Sequence, residues 1–168
     1  KYNFGDFMNI MEGKQRPDHF DGVATIIEKL FKIFTPDNAY FGEKDFQQLI
    51  LIKSLAEKLN PDLNVVGCKT IREKDGLAMS SRNKLLSKKE RESAGEIIKL
   101  LLKAKEMNSD FDYRQIKNEV VRHIHSVEGI TLEYFEIMDL SKFLNTIEKR
   151  AFIACKVGNV RLIDNIRI

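Results

Sequence analysis

The sequence predicts an α/β chain in two parts: a parallel-sheet portion over residues 1–70, then a small α+β portion over residues 71–168 with a mainly antiparallel three-stranded sheet. Three observations predict it. A strand–helix–strand succession fills residues 39–67, the length of a βαβ unit with parallel strands. Two helical patterns follow between residues 87 and 126. Three strand-like runs close the chain, the last two joined by Gly158-Asn159, a two-residue hairpin signal.

Residues 1–18 carry Gly5, Gly13 and "RPDH" with little periodicity, so a loop is expected there, with a short strand near "DFMNIM". Asp21 is the expected N-cap of a first helix, in which Val23, Ile26, Ile27, Leu30, Ile33 and Phe34 recur at helical spacing until Pro36. The run "AYF" reads as a strand that ends on Gly42. After the turn through Glu43, Lys44 and Asp45, a second helix presents Phe46, Leu49, Ile50, Ile52, Leu55 and Leu59 as its buried face, and "PDLNVVG" is the second strand. Parallel sheets are nearly always covered on both faces, and two strands cannot cover their own. This portion is therefore expected to expose apolar surface, and to self-associate or be partly disordered.

"CKTIREKDGLAMSSRN" is polar and punctuated by glycine, as a loop is. In "SKKE", Ser87 and Glu90 form a capping box that opens a helix running to about Met107. A further helix over residues 112–126 gathers Ile116, Val120, Ile124 and Val127 on one side. The closing strands are "TLEYFEIM", "AFIACKV" and "VRLIDNI".

Composition excludes several classes. At 43% hydrophobic and 32% charged the chain is an ordinary globular one, and a net charge of +3 with lysines scattered among carboxylates does not call for nucleic acid. Cys68 and Cys155 match no metal spacing and no disulfide framework, which suits a reducing cytoplasm. His123 and His125 are two apart on a helix, hence on different faces, and make no metal pair. No apolar run approaches the roughly 20 residues that cross a bilayer, and no signal-peptide pattern opens the chain. It begins on Lys1 rather than methionine, as a trimmed start or a fragment would.

Two stretches carry candidate chemistry. In "FGEKDFQQL", the turn Gly42–Asp45 lies at the carboxyl end of a strand, where open α/β sheets bind ligands. Gly42 would let a ligand approach the backbone, and the following helix N-terminus favours an anion. Gln48 is four residues after Lys44, on the same side of a helix. The plain alternative is that Glu43 and Asp45 complement the helix dipole while Lys44 is solvated. In "AMSSRN", residues 78–83, two hydroxyls and an arginine near Gly76 offer the donors a polyphosphate needs, and the planar fork of Arg82 suits phosphate better than lysine does. Taken alone, "SSR" is a common surface triplet.

Together, "FGEKDFQQL" and then "KDGLAMSSRN", preceded by "EGKQRPDHFDGVATIIEKLF" and followed by "CKVGNVRLIDNI", resemble the pantoate–β-alanine ligase family across nearly the whole chain. The resemblance implies the end of a Rossmann-like nucleotidyltransferase domain over residues 1–70, and a C-terminal α+β lid domain over residues 71–168. It implies an ATP-dependent condensation of pantoate with β-alanine through a pantoyl adenylate, releasing pyrophosphate and AMP, in coenzyme A biosynthesis. Mg2+ would arrive with ATP, no residue of the chain being a dedicated metal ligand, and the working protein would be a cytoplasmic homodimer.

Residue by residue, the resemblance implies that Gly42, Glu43, Lys44 and Asp45 contact ATP, with Lys44 on the phosphates and Asp45 near the ribose. Gln48 would bind pantoate. Ile71 would lie against the nucleotide through its backbone, and Met79, Ser80, Ser81 and Arg82 would form a mobile phosphate-binding loop. The resemblance makes Lys44, Ser80, Ser81 and Arg82 the expected catalytic set. His19 invites a general-base role that the family does not assign, so it is read as a hydrogen-bonded structural residue; Arg16 stays open between binding and structure. Asp18 stands where many relatives carry glycine, so a different backbone shape is expected there. The family's HxGH motif and a further pantoate-binding glutamine are not among these 168 residues, so the chain is expected to be the second half of the enzyme and inactive alone.

Two alternatives remain. A non-enzymatic RNA- or protein-binding module is favoured by the basic pI and opposed by the lack of a GxxG clamp or an aromatic strand platform. Another adenylate-forming nucleotidyltransferase would share the architecture, and Gln48, which suits a hydroxylated acid, argues against it.

Overall fold

In the computed structural model, which describes residue 2 and residues 4–168, the "DFMN" segment is a 3-10 helix, Asp6–Asn9, rather than a strand. The reason lies in a side chain 40 positions on. The buried amide of Gln47 donates to the carbonyls of Phe7 (2.6 Å) and Ile10 (3.1 Å) and accepts the Glu12 N–H (2.9 Å). These bonds take the place of a strand partner for the backbone. A short helix, α1 (Met11–Gln15), follows.

Helix α2 (His19–Phe34) starts two residues before the expected cap. Asp18 is the N-cap residue, and Asp21 lies inside the first turn, where its carboxylate accepts the Tyr2 N–H at 2.9 Å. The backbone of Asp18 sits at φ +60°, the left-handed region that glycine favours, so the aspartate does not force an ordinary backbone on the loop. The buried face of α2 also differs from the expected stripe. Phe20, Ala24 and Phe31 are buried, whereas Ile26, Ile33 and Phe34 are 61%, 72% and 71% exposed. The helix is apolar on two sides, and only one of them meets its neighbours.

Strand β1 (Asn38–Gly42) passes through a 3-10 turn, Glu43–Asp45, into α3 (Phe46–Leu59), and β2 (Asn64–Cys68) returns parallel to β1, in register from Asn38↔Asn64 to Gly42↔Cys68. Strand β1 alternates as a half-covered strand should, Ala39 and Phe41 being half-buried and Tyr40 66% exposed, whereas Val65, Val66 and Gly67 of β2 are all half-buried. Leu49, Leu51, Ile52 and Leu55 bury the inner side of α3, while Leu59 at its end is exposed.

The chain separates into two units, residues up to 69 and residues 70–168. In the second, α4 (Lys88–Met107) is capped by the reciprocal Ser87 and Glu90 bonds, and α5 (Tyr113–His125) by a second such box between Asp112 and Gln115. Both pack on one face of an antiparallel sheet ordered β3 (Ile130–Asp139), β4 (Lys149–Val157), β5 (Val160–Arg167). Ile97, Leu101, Ile116, Val120 and Ile124 from the helices meet Phe135, Ile153, Cys155 and Leu162 from the strands in one apolar cluster. In the β4–β5 turn, Gly158 has φ +56°, the left-handed region that glycine enters without a Cβ penalty, and it lies beside the Glu90 side chain at the start of α4.

Candidate active site

The strand-to-helix junction of the first unit gathers Gly42, Glu43, Lys44, Asp45 and Gln48 at the carboxyl end of the parallel sheet. Two expectations change here. Lys44 lies in the 3-10 turn, and Asp45, at φ −94° and ψ 61°, separates it from α3, so Lys44 and Gln48 are not successive turns of one helix. Gly42 has an ordinary extended backbone, φ −71° and ψ 134°, and a Cβ built on it meets nothing within 4 Å. Its glycine is required by no backbone strain; what it leaves is open space beside the strand end.

Asp45 occupies the N-cap of α3, and its side chain makes no cap hydrogen bond. Glu43 is half-buried against β2, and a Cβ at Gly67 would lie 3.6 Å from its Cγ and 3.0 Å from Leu49 Cδ2. Gln48 is half-buried, whereas its neighbour Gln47 is 4% exposed and spent on the backbone of residues 7–12. Of this adjacent pair, Gln47 is the buried structural residue and Gln48 the one with accessible side-chain surface.

The second unit brings Ile71 and Met79–Arg82 together. The Met79 N–H donates to the Ile71 carbonyl at 2.9 Å, beside an antiparallel bridge between Arg72 and Ala78, and the Ile71 and Met79 side chains are 68% and 58% exposed. Ser80 caps a 3-10 helix, Ser81–Leu85, by accepting the Arg82 N–H on Oγ at 3.3 Å, and Ser81 and Arg82 are exposed.

Sequence reasoning passed over the side chains behind this loop. Asn83, 4% exposed, donates from Nδ2 to Glu73 Oε1 (2.5 Å) and to the Ala78 carbonyl (3.1 Å). Arg91 reaches from the first turns of α4 to Glu73 Oε2 (2.6 Å) and Asp75 Oδ2 (2.5 Å). Arg72 forks onto Asp164 of β5 at 2.7 and 3.1 Å and donates to the Gly76 carbonyl at 3.0 Å. The Arg91 guanidinium holds both Glu73 and Asp75 below the usual carboxylate range, with Asn83 adding to the effect on Glu73. One signal was available: an arginine near a helix N-terminus opposes the dipole and calls for acidic partners.

Arg16 Nη1 lies 3.0 Å from His19 Nε2. A guanidinium only donates, so Nε2 accepts and the ring proton is on Nδ1, which ties this histidine into its loop. His123 Nε2 lies 3.3 Å from Glu96 Oε2 on α4, and His125 is exposed. Among the described residues no three His, Cys, Asp or Glu side chains gather as a metal ion needs.

The arrangement is that of a two-part α/β protein, a Rossmann-like parallel-sheet portion followed by an α+β portion with an antiparallel sheet, with polar loops at the ends of its strands. Comparison with known proteins makes this specific. The family model described as Pantoate-beta-alanine ligase matches residues 2–167. The pantothenate synthetase of Flavobacterium psychrophilum is 45% identical over 164 residues, covering 94% of this chain and 58% of that protein, and that of Sulfurihydrogenibium sp. is 50% identical over 161 residues, covering 92% and 58%. The crystal structure of pantothenate synthetase from Thermus thermophilus superposes with a TM-score of 0.87 at 34% identity, over 96% of this chain and 60% of that one. The chain belongs to the pantoate–β-alanine ligase family. It spans about three fifths of the length of the relatives it matches.

Proposed function

We propose that this chain serves an ATP-dependent ligation. Pantoate carboxylate attacks the α-phosphate of ATP, pyrophosphate leaves, and the amine of β-alanine then displaces AMP from the pantoyl adenylate, losing a proton as the amide bond forms. The observation that carries this reading is a family match that runs unbroken through both candidate segments, residues 42–48 and 71–82. A relative from Francisella tularensis, 34% identical with a TM-score of 0.78, is complexed with β-γ ATP and β-alanine.

On this reading the residues act by position and charge. In the first unit Lys44 takes a phosphate oxygen and Asp45 accepts from ribose; in the second, Arg82 and the hydroxyls of Ser80 and Ser81 donate to phosphate. Gln48 orients pantoate, and the Ile71 and Met79 backbone supports the nucleotide. Holding charge-stabilising donors where charge develops, and holding two reactants in contact, is the whole of the protein's part in such chemistry. Mg2+ would be carried on the phosphates of ATP, whose oxygens suit it. The same reading makes the working protein a cytoplasmic homodimer.

The test is AMP release that requires both pantoate and β-alanine, measured on this chain and on the product of its uninterrupted reading frame. AMP formed only with both acids present supports the ligation. AMP formed with other acids, and not with pantoate, replaces it with a different adenylating activity.

A further inference from the structure

We infer that Asn83 is a positioning residue for the Met79–Arg82 loop, closing it from the inside through its bonds to the Ala78 carbonyl and Glu73. This rests on the reading of that loop as a phosphate site. The geometry is specific. Ala78 and Asn83 flank the four residues, and the single carboxamide of Asn83 ties one flank to the other at 3.1 Å. Its backbone N–H adds a bond to the Ser80 carbonyl at 3.1 Å, inside the same loop. Met79 is pinned from the other side by the Ile71 carbonyl at 2.9 Å.

The orientation of the Asn83 amide is determined by its partners. Both are acceptors, a carboxylate and a carbonyl, so the NH2 group faces them and Oδ1 points away. Glu73 is held in turn by Arg91 at 2.6 Å, which makes the chain Arg91–Glu73–Asn83–Ala78 a continuous run of charge-assisted and neutral hydrogen bonds from α4 to the loop. Asn83 itself is buried, so its effect passes through the residues it shapes. Ser81 and Arg82 are exposed, and a phosphate site that must be ordered on binding loses affinity to that ordering. A loop tied at both flanks has less ordering left to do.

The chain is tested intact, with MgATP and adenosine as probes and NMR as readout, comparing wild type with Asn83→Ala and with Glu73→Ala, which removes the amide's anchor from a half-exposed position. In wild type, MgATP should shift the amides of residues 79–82. In Asn83→Ala the amides of Met79 and Arg82 should exchange with solvent at least about tenfold faster, core amides of α4 and β4 should keep their protection, and MgATP should bind about tenfold more weakly while adenosine binding is unchanged. Glu73→Ala should move both readouts in the same direction by less. A merely structural role would weaken both probes or neither. Unchanged exchange at Met79 and Arg82, or unchanged MgATP affinity in a chain whose core stays protected, overturns the positioning role alone. Absence of any MgATP effect on wild-type residues 79–82 overturns the phosphate reading, and the positioning role with it. Should Asn83→Ala fail to fold, Glu73→Ala decides by the same two readouts.

Discussion

Gly42 and Cys68 stand opposite each other as the last registered pair of the parallel sheet, at its carboxyl end. The pairing puts an exposed thiol beside the turn in which Glu43, Lys44 and Asp45 are gathered. The other cysteine, Cys155, lies in the core of the second unit, and burial pushes its pKa up to about 12.

Thiol reagents should therefore react once per native chain, at Cys68, and a second time only after unfolding. Mass spectrometry of the labelled peptides reads this directly, and native labelling of Cys155 would refute the buried assignment. If residues 42–45 hold ATP as proposed, saturating MgATP should slow Cys68 labelling severalfold without changing Cys155.

Substituting Gly42 separates folding from binding. Its backbone is one any residue adopts and a Cβ there is unobstructed, so Gly42→Ala should raise stability by ~0.4–1 kcal/mol by restricting the unfolded chain. A ligand that needs the strand end bare would lose affinity for the same variant. Urea unfolding and MgATP protection of Cys68 measure the two effects; a destabilised Gly42→Ala would mean the space is already filled.

Thr35 ends α2 at φ 40° and ψ 54°, a left-handed conformation that is costly for a β-branched side chain. Its N–H closes the helix end by donating to the Phe31 carbonyl at 2.9 Å. Thr35→Gly and Thr35→Asn keep that bond and relieve the strain, and each should stabilise the chain by ~0.5–1 kcal/mol in urea unfolding. A loss of stability in both would contradict the left-handed cap.

Lys103, with Arg122 beside it, holds the Glu119 carboxyl at about 2 against an ordinary value of 4.5. The folded-state value lies below the unfolded one, so the stabilisation is present above pH 4.5 and is lost as pH falls toward 2. Glu119→Gln should lower the melting temperature at neutral pH and flatten its decline across that acid window. An acid decline as steep in the variant as in wild type would show that Glu119 contributes little to it.

Much of the fold was legible because local rules determine it. The Ser87–Glu90 box, the Gly158-Asn159 hairpin and the two strands around α3 all follow from patterns among residues a few positions apart. The candidate segments stand out as motifs because "FGEKDFQQL" and "AMSSRN" are contiguous. The misread parts are those in which a distant partner decides. A stripe from Val23 to Phe34 has helical period on either of two faces, and only packing selects Phe20, Ala24 and Phe31. "DFMN" has the composition of a strand, and Gln47 draws it into a 3-10 turn.

The sequence by itself determined the order and type of most elements, the family, and which short stretches carry polar chemistry, because periodicity, caps and contiguous motifs are local. Tertiary structure alone decided which glutamine of the pair is buried, and which side chains hold the Met79–Arg82 loop. Glu73 meets Asn83 across 10 residues and Arg91 across 18, and Arg72 meets Asp164 across 92. Hydrogen bonds between such distant groups exist only once the chain has brought them within about 3 Å of one another, which no local pattern records.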